Sequence, residues 1–246
     1  MSGAWQHGIR GLGATTEYIK QELKIQCLLT RMALQRWGLI TLTDLMFREN
    51  GVRTYRHRGK SWYLVHRQQV GFLMSEVWWN WWQAGGAVVY QKSSRVAAIA
   101  FPRMGWRRGL YVAGIYAPTS ASGKEERNTL RHDLELILEL APATSLITVM
   151  GDFNAEMGNN HNRTISGWDA VGHFSNPKIT TPGQEWRDWC SRHGYRDVAS
   201  RFQCRNRVSW IHPRYLSQHE LDHILVKGVD VWHLKQCRFL LEGSKD

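Results

Sequence analysis

The stretch LITVMGDFNAEMG, residues 146–158, places an acid and an amide directly after an apolar run. Residues 146–150 are apolar or β-branched without interruption, which is typical of a strand buried on both faces of a sheet. Asp152 and Asn154 follow at positions i and i+2, and side chains at this spacing in a strand point to the same face. Phe153 then points the opposite way, into packing. The spacing predicts a two-part polar site at a strand end.

Further polar side chains lie within or at the ends of other apolar segments. Burial of each side chain without a partner would cost roughly several kcal/mol of folding free energy. These residues therefore need a common partner that stabilises them. Converging carboxylates repel one another, and a bound divalent cation relieves the repulsion. Hard oxygen ligands favour Mg²⁺ or Mn²⁺. The residues in such positions are Asp44, Tyr116, Asp152, Asn154 and Asp222.

Two of these residues also have a simpler interpretation when each is taken alone. Asp44 has the residue type of a helix or turn cap. Tyr116 has the type of a core residue whose hydroxyl tip is hydrogen-bonded. The pair Asp152 and Asn154 is harder to explain by packing, because both side chains are polar and are predicted to share a face.

The composition is that of a basic globular protein. The 246 residues are 43% apolar and 22% charged, which predicts a single domain over 1–246 with a sizeable core, irregular over 1–14. Lys and Arg number 32 against 21 Asp and Glu, giving a formal charge of +11. This excess favours a polyanionic partner, nucleic acid first. An ordinary basic surface is the alternative, because net charge bears on association rather than on fold.

Cysteine spacing and hydropathy argue against secreted and membrane proteins. The cysteines form no C-x-x-C pair, which favours reduced intracellular thiols over a disulfide framework or a zinc knuckle. No apolar stretch reaches the roughly eighteen residues of a membrane span, and the first residues lack a signal-peptide apolar core. We predict an intracellular protein that is not secreted, and that is nuclear if it acts on genomic DNA. The cysteines are Cys27, Cys190, Cys204 and Cys237.

Hydrophobic periodicity predicts helices alternating with runs of strands. The first helix is amphipathic, with Ile19, Leu23, Cys27 and Leu34 at helical spacing. The order of elements predicts the α/β (α+β) class, as a four-layer α/β/β/α sandwich of two packed mixed sheets flanked by helices. Predicted helices span 16–37, 75–86, 124–140 and 182–194. Predicted strands span 38–44, 70–74, 87–91, 95–101, 109–119, 146–150, 207–211 and 220–226.

The predicted helix 75–86 contains four tryptophans. Such a cluster can provide a platform for stacking bases. The four residues span more than one helical face, however, and this favours packing for most of them. They are Trp78, Trp79, Trp81 and Trp82.

Four motifs in this order resemble the endonuclease/exonuclease/phosphatase superfamily. Within it they are most similar to the endonuclease domains of LINE-type retrotransposons and to craniofacial-development-protein-like sequences. The similarity runs from about Glu17 to the last residue. Asp44 stands where the family usually has Glu. The matching segments are GLITLTD with Asp44, IYAPT with Tyr116, GDFNAEMG with Asp152 and Asn154, and SWIHP and HELDHILV with Trp210 and Asp222.

The resemblance implies metal-dependent hydrolysis of a nucleic-acid phosphodiester, with DNA as the expected partner. Asp44 and Asp152 would bind Mg²⁺ or Mn²⁺, and Asp152 would also orient or deprotonate the attacking water. Asn154 and Tyr116 would hold the phosphoryl oxygens. Asp222 would partner a histidine or the phosphate site.

Two residues are implied to contact the substrate. Trp210 matches a tryptophan of the retroelement enzymes. His173 falls in a loop region that approaches the substrate in the family, with a solvated loop position as the alternative. We also expect the domain to be monomeric.

Two family positions are not matched. The family has an Asn on its first strand, whereas this chain has none before Asn50 and offers only Gln6 as a stand-in. The family also has a closing Ser-Asp-His or Thr-Asp-His run, whereas this chain reads SKD at Asp246. Asp246 lies at about the same separation from Asp222 as the last Asp of the family does, so the resemblance implies that the chain is a fragment of a longer reading frame or polyprotein. His223 is not expected to replace the histidine, because adjacent strand residues point to opposite faces.

Three functions follow from these observations. The first is a Mg²⁺-dependent endonuclease that nicks DNA. The second is a degenerate relative that binds nucleic acid through Lys and Arg without cleaving it. The third is a phosphatase or phospholipase of the same superfamily, since a fold does not fix a substrate. The charge of +11 favours nucleic acid over the third.

Overall fold

A computed structural model describes residues 12–35, 38–47, 49–103, 108–159, 169–203 and 207–233. The chain divides into two compact units, Met1–Asn80 and Trp81–Asp246, called here the first and the second unit. The organisation as one domain stays a prediction. Gln6 and Asp246, the two uncertain family matches, lie outside the described residues.

The first unit contains a helix and a four-stranded antiparallel sheet. The strand order is β1-β4-β3-β2. Strands β2, β3 and β4 form two consecutive antiparallel hairpins, and β1 pairs with β4 on its other side. Strands β2 and β3 were not predicted, because their Arg, His and Lys side chains hide the apolar alternation. The elements are α1 (Leu12–Gln35), β1 (Leu39–Leu42), β2 (Gly51–His57), β3 (Lys60–Arg67), β4 (Val70–Ser75) and, crossing into the second unit, α2 (Glu76–Ala84).

Helix α1 forms as predicted, but the predicted packing face is wrong. Ile25, Leu29 and Met32 are buried in the core of the first unit with residues of the sheet. The helix carries two apolar stripes, and periodicity alone does not tell which one meets the sheet. The predicted stripe is exposed: Ile19 by 46%, Leu23 by 61% and Leu34 by 63%, with Cys27 exposed as well.

The second unit is built on a six-stranded mixed sheet of order β5-β6-β7-β8-β12-β9. Strands β7 and β8 are parallel, and helix α3 makes the crossover between them. Strand β12, late in the chain, lies between β8 and β9. The elements are β5 (Val89–Ser93), β6 (Val96–Phe101), β7 (Leu110–Tyr116), α3 (Lys124–Leu138), β8 (Leu146–Asp152), α4 (Thr181–His193), β9 (Tyr195–Asp197), β10 (Trp210–Ile211), β11 (Gln218–His219) and β12 (Asp222–Lys227).

Helices α3 and α4 bury the apolar side chains of the second unit. On α3, Leu130, Leu134 and Ile137 are buried as predicted, whereas Leu140 lies beyond the helix end and is 53% exposed. On α4, Trp186 and Trp189 are fully buried. An ion-pair network joins the two helices, since Glu185 of α4 accepts hydrogen bonds from Arg127 and Arg131 of α3.

The two tryptophans of α2 that lie in the second unit, Trp81 and Trp82, pack into the fold, as the sequence favours. Trp82 is buried and its indole N–H donates to the Val88 carbonyl at 3.1 Å. Trp81 donates to the Pro102 carbonyl at 3.0 Å. Indole groups held in this way are anchored to the fold.

The predicted α/β (α+β) class, with two large sheets and helices, is confirmed. The sheet of the first unit is wholly antiparallel rather than mixed. Among the described residues, no helix has the length and hydropathy to cross a membrane.

Candidate active site

Three of the predicted polar residues form one row across adjacent strands. Tyr116 on β7 pairs with Asp152 on β8, and Asp152 pairs with Asp222 on β12. Residues directly opposite one another in a sheet project from the same face. The fold therefore brings together side chains from three distant segments of the chain at one end of the sheet.

Asn154 joins this row through a turn rather than through strand alternation. Strand β8 ends at Asp152, and the backbone N–H of Asn154 donates to Oδ1 of Asp152 at 2.8 Å. The φ angle of Asn154 is +46°, in the left-handed region that Asn tolerates better than most residues. Its Nδ2 donates to the Ala117 carbonyl at 2.7 Å. The predicted strand alternation from Asp152 to Asn154 is therefore wrong, because the strand ends at Asp152 and a turn follows.

Gly151 allows strand β8 to pass close to β7 immediately before Asp152. Its φ is +148°, a conformation that side-chain-bearing residues rarely adopt. A Cβ atom at this position would lie 2.0 Å from the carbonyl oxygen of Ile115. The close approach of the two backbones thus requires glycine at position 151, and a glycine inside a strand pattern is the sequence signal for it.

Asp222 is an acid in a partly desolvated position. Its side chain keeps contact with solvent, but the surrounding protein raises the pKa of its carboxyl by desolvation. A hydrogen bond involving Ser209 and the charge of His223 act in the opposite direction on that pKa. The Ser209 hydroxyl also accepts from the backbone N–H of Leu221 at 2.8 Å and of Asp222 at 3.1 Å. A perturbed acid beside a second acid is a common feature of functional sites.

Arg95 extends the row by one strand, and sequence analysis did not single it out. The backbone N–H of Tyr116 donates to the Arg95 carbonyl at 3.0 Å. The guanidinium carbon lies 5.0 Å from the centroid of the Tyr116 ring, a cation–π distance. One guanidinium nitrogen lies 3.6 Å from a carboxylate oxygen of Glu126. The only sequence signal was a basic residue at the start of an apolar strand.

The remaining predicted residues lie on other segments. Asp44 follows β1 in the first unit, where it is exposed and has a φ of +55°. His173 is exposed in a turn whose neighbours Gly172 and Phe174 donate backbone hydrogen bonds to Ser200. Their assigned roles stay predictions.

Trp210 lies on the β10–β11 hairpin and is 41% exposed. Its ring centroid is 5.3 Å from that of His212 and 5.3 Å from that of His219. Tyr215, in the loop of the same hairpin, is 71% exposed. The hairpin therefore presents a small aromatic surface to solvent.

A second group of ionisable residues is fully buried. Asp197, Glu220 and His223 are at most 2% exposed, and their potential ligand atoms lie within 4.8 Å of one another. Glu220 already accepts hydrogen bonds from the Ser175 hydroxyl and the Asn176 N–H, and it pairs with Arg207 at 3.2 Å. No pattern in the sequence predicts this cluster, because it is assembled by tertiary contacts.

The donors of the row fit a hard divalent cation. Asp152 and Asp222 offer carboxylate oxygens on one face of adjacent strands, and Mg²⁺ and Mn²⁺ prefer such ligands. A cation between these carboxylates would offset their mutual repulsion. The chemistry of the row therefore fits a divalent metal ion.

Comparisons with known proteins agree with this architecture. No protein-family model and no curated protein sequence matches the chain. Among solved structures, the AP endonuclease LMAP from Leishmania major is similar with a TM-score of 0.52 and 12% identity, over 86% of this chain and 76% of that one. At this identity the likeness concerns the fold alone, and it supports the predicted fold.

Two further solved structures show weaker likeness. An endonuclease/exonuclease/phosphatase family protein from Leptotrichia buccalis has a TM-score of 0.47 and 13% identity, over 91% of this chain and 84% of that one. D. rerio TDP2 complexed with a single-strand DNA product has a TM-score of 0.46 and 12% identity, over 82% of this chain and 75% of that one.

Proposed function

We propose that this chain, whose fold is that of the endonuclease/exonuclease/phosphatase superfamily, is a divalent-metal-dependent phosphodiesterase that nicks DNA in the manner of LINE-type retrotransposon endonucleases. The observation that carries the proposal is the row of Tyr116, Asp152 and Asp222 on one face of the sheet, with Asn154 in the adjoining turn.

Each residue of the row has a role that its chemistry allows. Asp152 would bind the metal ion and orient the attacking water. Tyr116 and Asn154 would donate hydrogen bonds to the phosphoryl oxygens. Asn154 can do so while bound to the Ala117 carbonyl, because its amide nitrogen has a second hydrogen.

Asp222 would offer a second carboxylate to the metal ion, because it lies directly opposite Asp152 on the neighbouring strand. Mg²⁺ or Mn²⁺, when bound, would polarise the phosphoryl oxygen and neutralise developing negative charge. Asp44 as a further metal ligand remains part of the proposal from the motif match alone.

Nucleic acid is the substrate class that charge and surface favour. The formal charge of +11 attracts a polyanion, and Arg95 provides a cation beside Tyr116 for a phosphate group. The exposed Trp210 and Tyr215 of the hairpin have the residue types that stack on bases. The similar Leishmania major structure is an AP endonuclease, a protein named for action on DNA.

A plasmid-nicking assay tests the proposal. Wild type with Mg²⁺ is expected to convert supercoiled DNA to open circles, and EDTA should stop the reaction. Asp152→Asn should lower the rate by about 10³-fold or more, because metal binding and water positioning are both lost. Asp133→Asn, on α3, is the matched control and should keep full activity.

The outcomes separate the alternatives. Equal nicking by wild type and Asp152→Asn would overturn the assignment of the row. DNA binding by wild type without any nicking would favour the non-catalytic nucleic-acid binder. Hydrolysis of small phosphomonoesters in place of DNA would favour a phosphatase.

A further inference from the structure

A buried histidine lies directly behind the candidate active site. His223 follows Asp222 in β12, and adjacent strand residues point to opposite faces of the sheet. Its exposed fraction is 2%, whereas Asp222 reaches solvent. The His223 ring meets the ring of Phe153 edge-on at 5.4 Å between centroids. The proposed chemistry does not use this histidine.

One ring nitrogen of His223 holds the turn of the active site. Nε2 lies 3.0 Å from the carbonyl oxygen of Ala155. A carbonyl oxygen can only accept, so Nε2 must carry a hydrogen and donate it. Ala155 directly follows Asn154, in the turn that begins at Asp152. The bond therefore ties β12 to the segment that carries two of the proposed active-site residues.

The other ring nitrogen faces a buried acid. Nδ1 lies 3.5 Å from Oδ2 of Asp197, an ion-pair distance. Asp197 has no exposed surface, and within the described chain neither of its carboxylate oxygens has another hydrogen-bond partner. A buried carboxylate in this position needs compensation by a positive charge. A ring protonated on both nitrogens provides such a charge, and the charge of Arg201 also acts on this carboxylate.

The electrostatic surroundings support a cationic ring. Both ring nitrogens face oxygen atoms that accept hydrogen bonds, Nε2 the Ala155 carbonyl and Nδ1 the Asp197 carboxylate, and a ring with a hydrogen on each nitrogen matches both. Arg207 already neutralises much of the charge on Glu220. The contact of Nδ1 with Asp197 and the hydrogen bond of Nε2 to Ala155 together fix the orientation of the ring.

We propose that His223, oriented by Asp197, is a positioning residue that holds Asp152 and Asn154 in their working geometry through the Ala155 carbonyl. The catalytic consequence rests on the proposed phosphodiesterase function, whereas the structural consequence does not. A displacement of about 1 Å in a catalytic group can cost about 10²-fold in rate, so one hydrogen bond behind the sheet suffices to matter.

Two substitutions of similar polarity separate positioning from simple core packing. In His223→Gln the amide nitrogen reaches the position of Nε2 and can still donate to Ala155. In His223→Asn the shorter amide reaches only the position of Nδ1. Both remove the ring and its charge, so a role in packing alone would affect both variants.

The measurements are the kinetics of DNA nicking and hydrogen–deuterium exchange of the peptide 152–158. We expect His223→Asn to lower kcat by about 10²-fold with little change in KM, and to speed exchange in this peptide. His223→Gln should restore most of kcat and slow exchange again. Asp197→Asn should resemble His223→Asn in both measurements, because the ring loses its orientation.

Three results would overturn the proposal. The first is equal exchange of peptide 152–158 in wild type and His223→Asn. The second is an equal loss of kcat in the Gln and Asn variants. The third is one equivalent of a metal ion in elemental analysis of wild type that is absent from Asp197→Asn, since a cation bound by Asp197, Glu220 and His223 would replace the proton on Nδ1.

The same data keep this inference apart from the proposed function. If exchange responds as expected but wild type does not nick DNA, the phosphodiesterase assignment fails and the role of His223 in holding the turn stands. If wild type nicks DNA while the His223 variants match it in kcat and exchange, the inference fails and the function stands.

Discussion

Asp152 and Asp222 lie directly opposite one another on the antiparallel strands β8 and β12. Like charges in this arrangement destabilise a sheet, and here desolvation also raises the pKa of Asp222. Two acids kept in such a pair lower the stability of the fold. Such a compromise is expected where the carboxylates jointly bind a cation or exchange a proton.

The first prediction concerns this compromise. Asp222→Asn should raise the free energy of unfolding in EDTA by about 0.5 kcal/mol, because it removes the cross-strand repulsion. The same variant should lose the stabilisation that Mg²⁺ gives to wild type. Urea denaturation with and without Mg²⁺ measures both effects. A variant less stable than wild type in EDTA would show that the two carboxylates do not repel.

The second prediction concerns the glycine before Asp152. Gly151→Ala should lower the free energy of unfolding by about 3 kcal/mol or more, since its Cβ would meet the Ile115 carbonyl and its φ is unsuited to alanine. Urea denaturation measures the loss. Gly123→Ala is the control, because its Cβ would have no neighbour within 4 Å. Equal stabilities of the two variants would contradict the close approach of β8 and β7.

The third prediction concerns the aromatic hairpin. Trp210→Ala should weaken binding of a short DNA by about 1–3 kcal/mol, as loss of a base-stacking ring does. Trp210→Phe should retain much of the affinity. Fluorescence anisotropy measures binding in EDTA, without cleavage. Ile211→Ala replaces a neighbouring exposed side chain that cannot stack, and a matching loss in this control would point to hairpin disruption instead.

The fourth prediction concerns Arg95. Because its guanidinium lies beside Tyr116, Arg95→Gln should reduce the slope of log affinity against log salt concentration by about 0.9, the value for one phosphate contact. Glu126→Gln should increase affinity, since it removes the competing carboxylate. Lys92→Gln, an exposed position on β5, is the control for charge alone. An identical effect of the Arg95 and Lys92 substitutions would show that Arg95 acts only through net charge.

The fifth prediction concerns the pH dependence of stability. The pKa of His223 is raised from 6.5 to about 9 in the folded protein. The stabilisation of the fold by the protonated ring is therefore complete below pH 6.5, and it is lost as the pH rises through about 9. Relative to His223→Gln, the free energy of unfolding of wild type should fall by at most about 3 kcal/mol over that interval. Urea denaturation at several pH values measures the difference.

The control for this pH dependence is His132→Gln, which removes an exposed histidine on α3. It should follow wild type across the whole range. A constant difference in stability between wild type and His223→Gln from pH 6.5 upward would mean that the ring is not a cation in the folded state.

The sequence contained the strands that carry the site but not every contact within it. Apolar runs ending in Tyr116 and Asp152 are strong local signals, because a polar residue at such a point has few structural explanations. The neighbourhood of Asp152 and Asn154 was predicted through strand alternation, whereas a turn with a positive φ produces it. Turn geometry depends on hydrogen bonds that periodicity does not reveal.

Hydrophobic periodicity cannot predict features that depend on tertiary contacts. The outward stripe of α1 is as apolar as the buried one, so the packing partner decides which is covered. Arg95 acquires meaning only through its strand neighbour Tyr116. The pair of Asp197 and His223 joins β9 to β12, segments that are separated in the chain by the β10–β11 hairpin.

The insertion of β12 between β8 and β9 has a consequence for synthesis. A nascent chain that has emerged as far as β9 already contains Tyr116, Asp152 and Asn154, yet β9 then has no strand to pair with and the second acid of the row is missing. Strand β12, which leaves the ribosome after every other strand that the structure describes, therefore completes both the sheet and the acidic pair. Under the proposed function, the nascent nuclease would be unable to nick DNA until Asp222 has been synthesised.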